Sequence, residues 1–149
     1  MTDSILRNEG FRITITEDDF EDFQLMKSIF EENKANLHIS HVKDGQALID
    51  DLSTQAKLLN SFNLPHIIML DLSLPRKTGL EALREIKENY LLCKIPVIIF
   101  ATSISSTDIQ SAYELGCSSY IAKPQTASEW FKTIGDLCRF WMECVIFPV

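Results

Sequence analysis

The run Ile67-Ile68-Met69-Leu70 meets a single carboxylate at Asp71, and a loop containing Pro75 and Gly79 follows. Four consecutive large apolar side chains leave no polar face for water, so a strand made of them must be covered on both sides. That is the situation of an interior strand in a parallel sheet. Asp71 then stands at the carboxyl end of a central strand, the edge where ligands bind in open α/β sheets. A second run, Phe11 to Thr16, also ends in acid, at Glu17-Asp18-Asp19. Its β-branched residues (Ile13, Thr14, Ile15, Thr16) mark it as strand. The two strand ends are expected to meet, and their meeting to be the functional site.

The rest of the chain alternates in the same way. Leu37–Val42, Val97–Ala101 and Ser118–Ala122 read as further strands, the last closing on Lys123-Pro124. A first helix carries Phe20, Phe23, Met26, Ile29 and Phe30 at helical spacing, and Glu31 to Asn36 reads as a polar turn. A second presents Ala47, Leu48, Leu52, Ala56 and Leu59 along one face, and an irregular link (Asn60 to Pro65) follows. The third spans about Leu80 to Tyr90. The fourth, Asp108 to Leu115, is preceded by a Ser/Thr-rich capping stretch and stopped by Gly116. The last is expected over about Ser128 to Cys144. Five strands alternating with five helices predict an α/β fold, doubly wound on a five-stranded parallel sheet with right-handed crossovers. No linker or repeat divides the chain, so residues 1–149 read as one domain with an apolar C-terminal arm over about 140–149. The final helix bears more apolar surface than one face can bury, and Val145-Ile146-Phe147-Pro148-Val149 prolongs it.

Charge and composition exclude several classes. A net charge of −7 without any Lys/Arg block argues against nucleic-acid binding. No apolar run approaches the ~20 residues of a bilayer span, and the start Thr2-Asp3-Ser4 does not resemble a signal peptide, so a cytoplasmic address without a membrane is expected. The four cysteines lack C-x-x-C spacing and read as free thiols, mostly buried. No D-x-D at the third strand, no G-x-S-x-G and no Gly-rich phosphate loop is present, which argues against an independent hydrolase.

Glu17, Asp18, Asp71 and Lys123 are all predicted at one edge of the sheet. With the first and third strands adjacent, the carboxylates converge and repel. A hard divalent cation relieves that repulsion, and Mg²⁺ is habitually held by one or two carboxylates plus water. Lys123 adds a positive charge able to hold a phosphoryl oxygen. One carboxylate is then free to act as a nucleophile toward phosphorus. Each residue has a plainer reading: Asp71 as a turn former, Lys123 as a solvated lysine, and Glu17 and Asp18 as part of an acidic helix cap with Asp19, for which the cap is the preferred role. The register of all four favours the chemical one.

These motifs resemble the receiver domain of response regulators over nearly the whole chain. The match rests on Glu17-Asp18, on Asp71 with Pro75 and Gly79, and on Tyr120 with Lys123-Pro124. The resemblance implies the flavodoxin-like strand order 2-1-3-4-5. It implies a Mg²⁺-dependent two-component phosphorelay in which Asp71 accepts a phosphoryl group from a sensor histidine kinase and Lys123 contacts it. It further implies Mg²⁺ bound directly by Asp18 and through water by Glu17, with Asp71 and the carbonyl of Ser73 completing the set. The Lys123–Pro124 bond is expected to be cis. No enzymatic activity beyond autophosphatase is implied.

Within the family, Ile95-Pro96, Thr102-Ser103 and the ending Phe140-Trp141-Met142-Glu143 resemble the stand-alone regulators paired with bacterial phytochromes. That likeness implies a homodimer in which the arm (Phe140, Trp141, Ile146, Phe147) takes part. One departure stands out. The Ser/Thr that couples phosphorylation to an inward swing of Tyr120 is Ala101 here, followed by Thr102. Either Thr102 supplies the hydroxyl through a changed backbone, or the phosphorylated state loses a hydrogen bond to a charged group, worth roughly 1.5–3 kcal/mol, and the switch is weakened. The alternative function is a pseudo-receiver, a constitutive dimeric interaction module indifferent to phosphate.

Overall fold

The computed structural model describes residues 10–34, 36–58 and 63–148. The strands are β1 (Phe11–Thr16), β2 (Leu37–Val42), β3 (Ile67–Leu70), β4 (Val97–Ala101) and β5 (Ser119–Ala122). They form one sheet in the order β2-β1-β3-β4-β5, every pair parallel. This is the expected fold. Every residue of β3 and β4 is buried, as their unbroken apolar sequence requires, whereas the edge strand β2 alternates between exposed and half-buried.

The helices are α1 (Phe20–Asn33), α2 (Gly45–Lys57), α3 (Gly79–Glu88), α4 (Ser106–Leu115) and α5 (Ala127–Cys138). On one face of the sheet, Ile13, Ile15, Met69 and Phe100 pack with Phe23, Met26 and Phe30 of α1 and Trp130 and Ile134 of α5. On the other, Ile68, Leu70, Val97 and Ile99 pack with Leu48 and Leu52 of α2, Leu83 and Ile86 of α3 and Ala112 of α4. All five helices begin just after a strand's carboxyl end. Each is capped by a side-chain oxygen that accepts a backbone N–H: Asp19, Asp44, Thr78, Ser105 and Thr126. Each such cap stabilises by about 1 kcal/mol and aims a helix N-terminus at the functional edge. Gly116 closes α4 in the left-handed conformation (φ 102°), as expected of a residue without a Cβ.

Some boundaries differ from expectation. α1 continues to Asn33, consuming half of the expected polar turn, because Asn33 Nδ2 donates to the Ile29 carbonyl inside the helix. The last helix is α-helical only to Cys138; Arg139–Cys144 widen into a π-helical turn closed by Val145 N–H to the Phe140 carbonyl. Leu59, the Asn60–Phe62 part of the link and Val149 lie outside the described residues. The described cysteines are all free; Cys117 and Cys138 are buried, but Cys144 is exposed.

The arm folds back on its own domain. Trp141 is buried, and Phe147 reaches the start of β1, with ring centroids 5.6 Å from Phe11 and 5.3 Å from His66. Only part of the expected partner surface remains outward: Phe140 is 55% exposed and Ile146 93%. His66 anchors this cluster. Its ring stacks on Phe11 at 4.7 Å, and its Nδ1 accepts the Arg12 N–H at 2.9 Å, so the ring must be unprotonated there. Burial, and then the nearby Arg12 charge, pull its pKa down from 6.5 to about 4. The native chain therefore refuses a proton that the unfolded chain takes up between those values, and stability falls as pH drops through the window. His66→Leu should remove this slope. Its urea-melt profile against pH should lie flatter than that of the unaltered chain by an order of 2–3 kcal/mol between neutrality and pH ~4. Parallel profiles would show that His66 titrates normally.

Candidate acidic metal centre

The backbone ladder carries each functional residue one step past its strand. Glu17 N–H donates to the Val42 carbonyl (3.1 Å), Asp71 N–H to Thr16 (3.1 Å) and Lys123 N–H to Ala101 (2.8 Å). Side chains from β1, β3 and β5 thereby converge. Glu17 and Asp71 are 1% and 6% exposed, while Asp18 faces solvent. Glu17, Asp18 and Asp71 each offer an oxygen, all within 4.8 Å of one another. Three hard oxygen donors at this spacing, one open to water, fit a divalent cation of the Mg²⁺ or Mn²⁺ type.

The Lys123 ammonium sits against this cluster, 2.8 Å from Glu17 Oε2 and 2.9 Å from both Asp71 Oδ2 and Asp22 Oδ2. Burial opposes its charge, but the bonds to Glu17, Asp71 and Asp22 outweigh that and push its pKa up. Glu17 moves the other way relative to its charge. Burial raises its carboxyl to about 7, the Asp71 charge adding to the rise and the Lys123 bond only partly offsetting it. The second oxygens are held by backbone: Glu17 Oε1 accepts the Asp19 N–H (3.1 Å) and Asp71 Oδ1 the Ser73 N–H (3.3 Å).

Asp22 is the residue that sequence reasoning missed. It lies in the first turn of α1, not at a strand end, and reaches Lys123 only because α1 packs over that edge. Its sole sequence signal is its place three residues after the Asp19 cap, in the acidic first turn of α1. Asp19 proves to be the cap of α1, accepting from Asp22 N–H at 3.0 Å.

The β3–α3 loop is shaped by close approaches. A Cβ on Gly79 would fall 2.2 Å from the Asp71 carbonyl oxygen, and one on Gly45 would fall 2.1 Å from that of Lys77. Both positions need glycine for the backbones to touch. Arg76 takes a positive φ of 64°, its guanidinium held by Asp44 at 3.0 and 3.1 Å. Ser73, expected to lend a carbonyl, meets Asp71 through its N–H.

The Lys123–Pro124 bond is trans, where cis was expected. For an X–Pro amide trans is the lower form by about 0.5–1 kcal/mol. From it Lys123 reaches all three carboxylates, and the Trp130 indole N–H holds the Pro124 carbonyl at 2.7 Å.

The switch positions lie to one side. Ala101 is buried at the end of β4, and Thr102 is exposed. Tyr120 is half-buried and donates its hydroxyl to the Ser103 carbonyl at 2.7 Å, while Ser103 Oγ bonds the Asp108 carboxylate at 2.6 Å.

A doubly wound parallel sheet with acids after β1 and β3 and a lysine after β5 defines a class, and the chain belongs to it. The family model for the response regulator receiver domain matches residues 13–135. The chain is 34% identical to response regulator Rcp1 of Synechocystis sp. over 136 residues, 91% of this chain and 92% of that protein. It superposes on the phosphorylated cyanobacterial phytochrome response regulator RcpA with a TM-score of 0.87, at 31% identity, over 94% of this chain and 99% of that one. The Mn²⁺-bound form of Rcp1 gives a TM-score of 0.85 at 33% identity, over 93% of this chain and 99% of that one. The narrower likeness to phytochrome response regulators is thus also found. Among the described residues no helix is long and apolar enough to cross a membrane.

Proposed function

We propose that this chain is a cytoplasmic phosphoacceptor in a two-component relay: Asp71 receives a phosphoryl group from a phosphohistidine on a sensor histidine kinase, a phytochrome by analogy with RcpA. The observation that carries the reading is the buried Asp71 carboxylate, 2.9 Å from the Lys123 ammonium and clustered with Glu17 and Asp18. An Asp71 oxygen attacks phosphorus in line, the P–N bond breaks, and the imidazole leaves with a proton from solvent. Lys123 balances the charge that the phosphoryl oxygens bring to the pocket. Glu17, Asp18 and Asp71 would hold Mg²⁺, which when bound offsets the carboxylates and polarises the phosphoryl group. The chain has no independent enzymatic role; the acyl phosphate is lost by hydrolysis at the same site.

The test is intact-mass spectrometry after incubation with a small phosphodonor. A single phosphoryl adduct that requires Mg²⁺ is expected. No adduct with Mg²⁺ present would sink the reading.

Output passes to a partner or a second copy. The outward Phe140 and Ile146, next to an arm anchored by Trp141 and Phe147, support self-association there. Ile146→Asp should abolish dimerisation in sedimentation while leaving the thermal midpoint unchanged, since Ile146 touches little of its own domain. An unchanged sedimentation profile would remove the arm from the interface.

A second reading, the pseudo-receiver, draws on one observation. Tyr120 donates to the Ser103 carbonyl, and Ala101 has no hydroxyl that could link it to a phosphoryl group on Asp71. Dimerisation insensitive to the phosphodonor would favour that reading.

A further inference from the structure

The carbonyl of Glu17 lies beyond the last paired residues of β1 and β2, Thr16 and Val42. β2 ends there, so the ladder supplies no further N–H to it. The imidazole of His41 takes that place, its Nε2 2.8 Å from the Glu17 oxygen. A carbonyl only accepts, so Nε2 carries the proton and donates. The ring is held in turn by Phe23 of α1, stacked against it at 3.5 Å and 6°.

This bond acts on a particular peptide plane. The Glu17 carbonyl belongs to the amide that joins Glu17 to Asp18, two of the three acids of the cluster. The Glu17 N–H is already tied to Val42. With His41 on the carbonyl, the backbone of Glu17 is fixed at both ends, and the direction in which Asp18 leaves is fixed with it. Rotation of that plane would carry the Asp18 carboxylate away from Asp71 while leaving β1 intact.

We propose that His41 is a positioning residue for the metal centre, holding the Glu17–Asp18 peptide so that both carboxylates face Asp71. The proposal rests on the divalent-cation reading above. Partners outside the ligand shell of this kind commonly account for 10- to 100-fold in metal affinity.

Two substitutions separate the hydrogen bond from the packing. His41→Gln keeps an N–H donor of similar reach and loses the ring stack. His41→Leu keeps an apolar contact with Phe23 and loses the donor; His41→Phe does the same and replaces Leu if that variant does not fold. Mg²⁺ alone is titrated into the full chain by calorimetry, and urea midpoints are measured on the same samples. The donorless variant should bind Mg²⁺ about tenfold more weakly, with Gln within about threefold of the unaltered chain, whichever variant is the more stable. Affinities that follow the order of the urea midpoints, or a donorless variant that binds normally, would overturn the positioning role alone. An unaltered chain that binds no Mg²⁺ would overturn the metal reading and this proposal with it.

Discussion

Asp71→Asn should show no phosphoryl adduct in the intact-mass experiment, beside a metal-dependent adduct on the unaltered chain. Asparagine has nearly the same shape, and its amide oxygen can still accept from Lys123. It has no anionic oxygen to attack phosphorus, so the loss is complete rather than graded. The fold should survive, because the substitution removes one of three carboxylates crowded around a single ammonium. Its effect on Glu17 has a definite sign: the Asp71 charge helps to raise that carboxyl, so without it the pKa falls from about 7 toward the ordinary range. An adduct of undiminished yield on Asp71→Asn would place the acceptor elsewhere.

Lys123→Met should cost on the order of 3–5 kcal/mol in a metal-free urea melt near neutral pH, the penalty of leaving buried charge uncompensated. Glu17 and Asp71 are buried, Asp22 is nearby, and the one ammonium bonded to all three is Lys123. The pH dependence follows from Glu17, whose carboxyl burial already raises from 4.5 to about 7 while Lys123 is present. Without the lysine, the native carboxyls hold protons that the unfolded chain has released, so the variant loses stability as pH rises from about 5 to 7. Acidification should restore it, and so should excess Mg²⁺ at neutral pH, by binding the native cluster alone. A variant as stable as the unaltered chain at neutral pH without metal would mean that the ion pairs do not hold the pocket.

Much of this protein is legible in one dimension because its signals are local. Burial on both faces of β3 and β4 follows from apolar runs that no other environment would accept, and helix starts follow from Asp, Ser and Thr caps. A residue placed just after a strand inherits its position from the ladder, so Glu17, Asp71 and Lys123 fall on one edge, and the strand order implied by the receiver resemblance brings them together.

Contacts made by helices and loops across that edge carry no such local mark. Asp22 reaches Lys123 only through the packing angle of α1, and His41 finds the Glu17 carbonyl because β2 ends where β1 does. Tyr120 meets Ser103 rather than position 101 because of the path of the β4–α4 loop. The apolar residues of the arm exceed one helix face, which marks a surface without saying what covers each part of it. The π-helical turn delivers Phe147 to Phe11 and His66 and leaves Phe140 and Ile146 outside. Sequence alone determined which residues line the sheet's carboxyl edge, since hydrophobic periodicity and strand ladders act over a few residues. Only the tertiary structure decided how that edge is braced and where the arm goes, because those contacts join residues tens of positions apart through the geometry of packed helices.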